Sequence, residues 1–174
     1  IRRLILDKQI PEAEALMKQT LSGTPESQRP YQPLGDLNLT FDQVNASVSN
    51  YRRTLSLDDA IHTVRYSLAK TDYERETFIS AKDNVLVLHL RASRPASISF
   101  DARLARQRFY NRSLKIDDQT ILIDGNLGQE GLDFAVACRA YHIGGSCHTV
   151  GDCLVIRDAD SVTLLLAAAS NFRY

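Results

Sequence analysis

Gly35-Asp36-Leu37-Asn38-Leu39-Thr40-Phe41 is where the reading of this sequence turns. Leu37, Leu39 and Phe41 alternate with Asn38 and Thr40, the period of two that sends successive side chains to opposite faces of a half-buried strand. Upstream the period is different. Leu4, Ile5, Ala13, Leu16 and Met17 recur at spacings a helix places on one face, and predict helical structure from residue 1 to about residue 22. Pro11 suits a first helical turn, where its missing N–H does no harm. Glu12 and Glu14 come early and Lys18 late, the order the helix dipole favours, and Gly23 and Pro25 close the segment. Residues 22–33 then read as a polar, proline-punctuated loop.

Downstream of Phe41 the period of two persists. It predicts strands at Tyr51–Leu57, Ile61–Leu68, Tyr73–Ser80, Val85–Ala92, Ser97–Leu104, Thr120–Ile123, Leu132–Tyr141, Cys147–Val150, Cys153–Arg157 and Ser161–Ala168. Short strands at this spacing indicate an all-β sandwich or barrel. Lys82-Asp83-Asn84 and Val150-Gly151-Asp152 read as hairpin turns, and Gly125-Asn126-Leu127-Gly128 as a turn rather than a phosphate loop. Two strands, Val85–Leu90 and Val162–Ala167, are apolar on both faces. They predict central positions, covered on each side by a second sheet or a neighbouring domain.

The composition fits one domain, or one domain with an appendage. The chain has 174 residues, 44% apolar and 24% charged, so a core can form. Twenty-one basic residues balance twenty-one acidic ones, which argues against a general nucleic-acid binder. No run of about eighteen apolar residues exists to span a membrane.

The chemistry-bearing residues are scattered. Cys138, Cys147 and Cys153 fit no zinc spacing. Cys138 shares strand parity with Phe134 and Val136, a core position. A two-residue turn at Gly151-Asp152 sets Val150 opposite Cys153 and Cys147 opposite Ile156. The two thiols then lie on opposite faces and cannot bond. Cys147 beside His148 could be imagined as a nucleophile pair, but nothing orients the base. His89 reads as a core or interface histidine. Adjacent carboxylates point to opposite faces of a strand and make no acid/base pair. Arg75 and Glu76 likewise diverge, and a structural ion pair is the expected use there. The sequons at Asn38, Asn45 and Asn111 are tripeptides that arise often by chance. No catalytic, cofactor-binding or metal-binding residue is assigned.

Four strings carry a resemblance: Tyr31-Gln32-Pro33-Leu34-Gly35-Asp36-Leu37, Tyr51-Arg52-Arg53-Thr54-Leu55-Ser56-Leu57-Asp58-Asp59-Ala60, Tyr73-Glu74-Arg75-Glu76-Thr77-Phe78-Ile79-Ser80 and Asp160–Ser170. In this order and spacing the chain resembles the N-terminal domain of glycoside hydrolase family 95, the inverting α-L-fucosidases. The opening Ile1-Arg2-Arg3-Leu4-Ile5-Leu6 and the Glu-Ala-rich helix fit the same pattern.

The resemblance implies a mainly β fold, a two-sheet antiparallel supersandwich with a short N-terminal helical segment. Residues 1–30 would be the helical segment and loop, and 31–174 part of a larger sandwich domain, truncated at both ends. An (α/α)6 barrel follows in that family and carries the catalytic groups, none of which maps onto this chain. The expected role is a scaffold and docking surface, with the downstream barrel and the parent's glycan as partners. The family also suggests a secreted or periplasmic setting. Inverting glycosidases need an acid and a base about 6.5–9.5 Å apart, which a sandwich without its barrel is not expected to present. The alternatives are a stand-alone carbohydrate-binding module, which this Trp-free chain fits poorly, and a small enzyme using Cys147 and His148. Missing opening strands would leave an exposed sheet edge and a tendency to associate.

Overall fold

The structure, a computed structural model, describes residues 1–21, 23, 32–42, 47–128 and 131–172. The chain forms two compact units, Ile1–Pro33 and Leu34–Tyr174. Tyr31 of the first motif, Pro25 and the sequon residue Asn45 lie outside the described residues.

The first unit holds two helices, α1 (Arg2–Leu6) and α2 (Ile10–Thr20), where the sequence predicts one helical stretch. The break falls at Lys8, whose φ is +61°, and the Gln9 amide donates back to the Leu4 carbonyl at 2.8 Å. Pro11 sits in the first turn of α2, with Glu12 beside it and Lys18 in the last turn, the order the dipole favours.

The second unit is a two-sheet antiparallel sandwich. Its strands are β1 (Asp36–Phe41), β2 (Val48–Ser56), β3 (Ile61–Leu68), β4 (Thr71–Ser80), β5 (Val85–Ala92), β6 (Ile98–Ala105), β7 (Arg112–Asp117), β8 (Thr120–Asn126), β9 (Asp133–Ile143), β10 (Ser146–Val150), β11 (Cys153–Ala159) and β12 (Ser161–Ser170). A four-stranded sheet runs β1-β6-β11-β10, and an eight-stranded sheet runs β2-β3-β4-β5-β12-β9-β8-β7. The mainly β sandwich expected from the alternation is therefore the observed fold.

Alternation fills the space between the sheets. β6 contributes Ile98, Phe100, Ala102 and Leu104, and β11 contributes Leu154 and Ile156. From the large sheet come Leu90, Ile121, Ile123, Val136, Cys138, Ala140, Val162 and Leu164. Phe100, Leu154, Ile156 and Leu164 are fully buried, and each such side chain contributes about 1.5–3 kcal/mol through removal from water.

β5 and β12 pair at the centre of the large sheet, as their two-faced apolar sequences predict, with Leu90 opposite Val162 and Leu88 opposite Leu164. Within this unit the second sheet covers one face. The four-stranded sheet packs on the side of Leu88, Leu90, Val162 and Leu164. On the other side Val85, Val87 and Leu165 are half-buried by their neighbours, and among the described residues no second layer of this unit lies over them.

Four expectations need correction. β7 was not anticipated: it is an edge strand with two apolar residues among polar ones. Gly125 and Asn126 belong to β8 rather than to a turn, paired with Phe134 and Asp133 of β9; a Cβ at Gly125 would meet the Phe109 carbonyl oxygen at 2.4 Å, so this strand end needs glycine. Tyr66, Tyr73 and Phe78 read in the sequence as aromatics a core would use, but Phe78 does not face the core with the other two. It pairs with Val87 on the uncovered face, one parity step away from Tyr73. The ion pair expected at Arg75 or Glu76 falls instead on Glu74.

The turns set the registers. Gly151-Asp152 forms the expected two-residue turn, with Val150 opposite Cys153 and Cys147 opposite Ile156. All three cysteines are free. Gly144 and Gly145, with φ of +68° and +61°, carry the chain from β9 in one sheet to β10 in the other. Ala69 and Lys70 join β3 to β4 with φ of +46° and +66°, the signs of a type I′ turn made without its usual Asn-Gly.

Candidate functional site

The uncovered face of the large sheet is laid out in rows, because directly opposed residues of antiparallel strands share a face. One row crosses four strands as Arg52, Arg65, Glu74 and Arg91. Glu74 accepts from Arg65 and from Arg91, whose Nε lies 2.6 Å from Glu74 Oε1. Its side chain is only 11% exposed, while those of Arg65 and Arg91 are mostly in solvent. Burial works against the charge of Glu74, but the two arginine hydrogen bonds and charges outweigh it and hold the carboxyl below its ordinary range.

A second row beside it is linked by hydrogen bonds. Asn50 Nδ2 donates to Ser67 Oγ at 3.2 Å, and Ser67 Oγ donates to Asp72 Oδ1 at 2.7 Å. The Asp72 amide donates to Ser93 Oγ at 2.9 Å. The two rows line a half-open cavity of about 560 Å³, bounded by Asn50, Arg52, Arg65, Ser67, Glu74 and Arg91 among others. That volume lies in the range of small-ligand sites.

Past Glu74 the face changes character. The next row is Thr63, Glu76, His89 and Thr163, with His89 Nδ1 2.9 Å from Thr163 Oγ1. Beyond it come Phe78, Val87 and Leu165, then Val85, Ala167, Ala137 and Leu122. The face is thus a charged, concave end joined to an apolar one.

On the covered side, Arg75 ties the sheets together. Its guanidinium lies 4.1 Å from the Phe41 ring centroid of β1 and donates to Tyr66 Oη at 2.8 Å. Tyr66 stacks on Tyr73 with centroids 5.1 Å apart. An arginine on an aromatic face is an attractive contact that needs no carboxylate.

The other residues singled out by sequence do not assemble. Cys147 and His148 are neighbours on β10 and point to opposite faces. Burial pushes the Cys147 thiol up, and the Asp118 and Asp117 charges add to this, the reverse of what a nucleophile requires. Cys138 is fully buried and its thiol is pushed up to about 12, chiefly by burial. Among the described residues no group of three His, Cys, Asp or Glu is placed to hold a metal ion. Among the described residues no helix is long and apolar enough to cross a membrane. The arginine row was missed by sequence reasoning. The signal that could have found it is the register of three hairpins, which opposes residues 52, 65, 74 and 91.

Residues 1–174 match the family described as Glycosyl hydrolase family 65, N-terminal domain. The chain belongs to this family. This N-terminal domain is 31% identical to "Alpha-L-fucosidase 2" of Arabidopsis thaliana, over 99% of this chain and 23% of that protein. It is 25% identical to "Probable alpha-fucosidase A" of Aspergillus oryzae, over 87% of this chain and 22% of that protein. The domain therefore spans about a quarter of the length of the curated relatives it matches. Among solved structures, "Putative kojibiose phosphorylase from human microbiome" superposes with a TM-score of 0.54 at 8% identity, covering 78% of this chain and 22% of that one. That likeness concerns the fold alone.

Proposed function

We propose that this domain is the non-catalytic N-terminal part of a family 95 type α-L-fucosidase, a scaffold and docking surface for a downstream (α/α)6 catalytic barrel. The parent enzyme would hydrolyse terminal α-L-fucosyl linkages in glycans. The observation that carries this reading is the 31% identity to a protein named as an α-L-fucosidase, extending over 99% of the chain. The ordered motifs from Gln32-Pro33-Leu34-Gly35-Asp36 to Asp160–Ser170 support the finer family.

The sheet's apolar rows give the docking role a physical basis. Phe78, Val85, Val87, Leu165, Ala137 and Leu122 form a contiguous apolar surface on rigid central strands. Covering such a surface releases about 25 cal/mol for each Å² of apolar area removed from water. It needs no rearrangement of the sandwich.

The test is hydrolysis of a fucosyl-α-1,2-galactoside by this chain beside the same chain extended through the barrel. Activity confined to the extended protein is the expected result. Activity in the 174-residue chain would place a catalytic pair within it and overturn the reading.

A further inference from the structure

The cavity at the Arg52–Arg65–Glu74–Arg91 row holds more positive charge than the fold uses. Arg52 stands directly opposite Arg65, and like charges in that relation destabilise a sheet. Glu74 answers Arg65 and Arg91 together, so its two oxygens are already engaged. Asp72 is turned to Ser67. Among the described residues no acceptor is paired with Arg52, which is exposed. A β-bulge between Ser49 and Arg52, with Asn50 at a φ of +54°, interrupts the ladder where β2 meets the cavity. Bulges of this kind re-aim side chains beside binding sites.

We propose that this cavity is a binding site for an acidic oligosaccharide, one whose sugar carboxylate is held between the Arg52 and Arg65 guanidiniums. The inference is independent of the fucosidase reading. A planar carboxylate matches the arginine fork and neutralises the uncompensated charge. The volume of about 560 Å³ exceeds what a lone oxyanion fills. Asn50, Ser67, Asp72 and Ser93 supply both donors and acceptors along one wall, as sugar hydroxyls require. Glu74 acts as a positioning residue: it fixes Arg65 and Arg91 and contributes no contact to the ligand.

The test is calorimetric titration of the full-length protein with trigalacturonate, with its fully methyl-esterified form, and with inorganic phosphate as competitor. Trigalacturonate is expected to bind at least about tenfold more tightly than the ester, because a charged hydrogen bond is lost with the carboxylate. Arg52→Ala should weaken binding about tenfold or more without lowering the melting temperature, and Arg52→Lys should recover part of the binding, since lysine keeps the charge without the fork. Asn50→Ala should weaken binding of the acid and the ester alike. Equal affinity for acid and ester, or indifference to Arg52→Ala, would overturn the proposal. So would phosphate competing as strongly as the trisaccharide, which would mark a simple oxyanion site. No binding to the full-length protein, with Arg52→Ala lowering its melting temperature, would also overturn it by assigning the fork to a carboxylate elsewhere in the polypeptide.

Discussion

Replacing Gly145 with alanine tests how the chain passes between the sheets. Gly145 has a φ of +61°, and a Cβ there would lie 2.1 Å from the Arg157 carbonyl oxygen and 2.4 Å from the Asp158 carbonyl carbon. These are backbone atoms of β11 at its own bulge, where Asp158 has a φ of +53°, so no side chain can simply swing away. Two costs add. The left-handed conformation costs an alanine about 1–2 kcal/mol. Displacing the bulged strand costs about 1–3 kcal/mol more, in the manner of an overpacked core. Against a total stability of about 5–15 kcal/mol this is a large loss. Gly151 supplies the control: its φ is also +61°, and nothing lies within 4 Å of the Cβ position. Gly151→Ala should therefore lose only the conformational cost. Urea unfolding of both variants reads the difference directly, provided the slope stays unchanged. Gly145→Ala should be less stable than Gly151→Ala by about 1–3 kcal/mol. Equal losses in the two variants would refute the close approach of β9–β10 to β11.

Three further outcomes follow from the geometry. Glu74→Gln should lose about 1–2 kcal/mol at neutral pH from the two arginine hydrogen bonds. Because the folded-state pKa of Glu74 lies below the ordinary 4.5, its contribution is present above that value and fades as pH falls through the lower one. The wild-type and variant urea midpoints should therefore converge in acid; a gap that persists there would contradict the assignment. Cys138, with its thiol pushed up to about 12, should stay unmodified by a thiol reagent at pH near 8 in the native chain and react once urea unfolds it, as read by mass spectrometry. Ala69→Asn combined with Lys70→Gly should raise stability by about 1 kcal/mol, measured by thermal unfolding, since the pair relieves two left-handed positions.

Where one strand supplies its own evidence, the sequence was readable. Leu37, Leu39 and Phe41 announce β1, and the two-faced apolar runs announce the central places of β5 and β12. β7 escaped because an edge strand with only Leu114 and Ile116 as apolar residues has little period to show. Which strands pair was not legible, since β1 reaches β6 and β5 reaches β12 across long stretches of chain. The arginine row lies between these cases. A two-residue turn at Ala69-Lys70 places Arg65 opposite Glu74 by counting alone. Yet neither residue is a turn signal, and the bulge at Ser49–Arg52 shifts the remaining register. Arg75 shows the same limit: its charge suggested a carboxylate, and only the approach of β1 reveals that Phe41 meets it.

The position of β12 has a consequence for how the chain is made. It comes after every other described strand, yet it lies in the middle of the large sheet, between β5 and β9. During synthesis from the N-terminus, β2–β5 can close as one meander and β7–β9 as another, each through local hairpins. Until the ribosome delivers Ser161–Ser170, the two half-sheets face each other across a gap, and β5 and β9 are unpaired edges. Nascent chains therefore pass through a stage with two sticky borders. The insertion of one apolar strand then converts two marginal pieces into a single cooperative sheet.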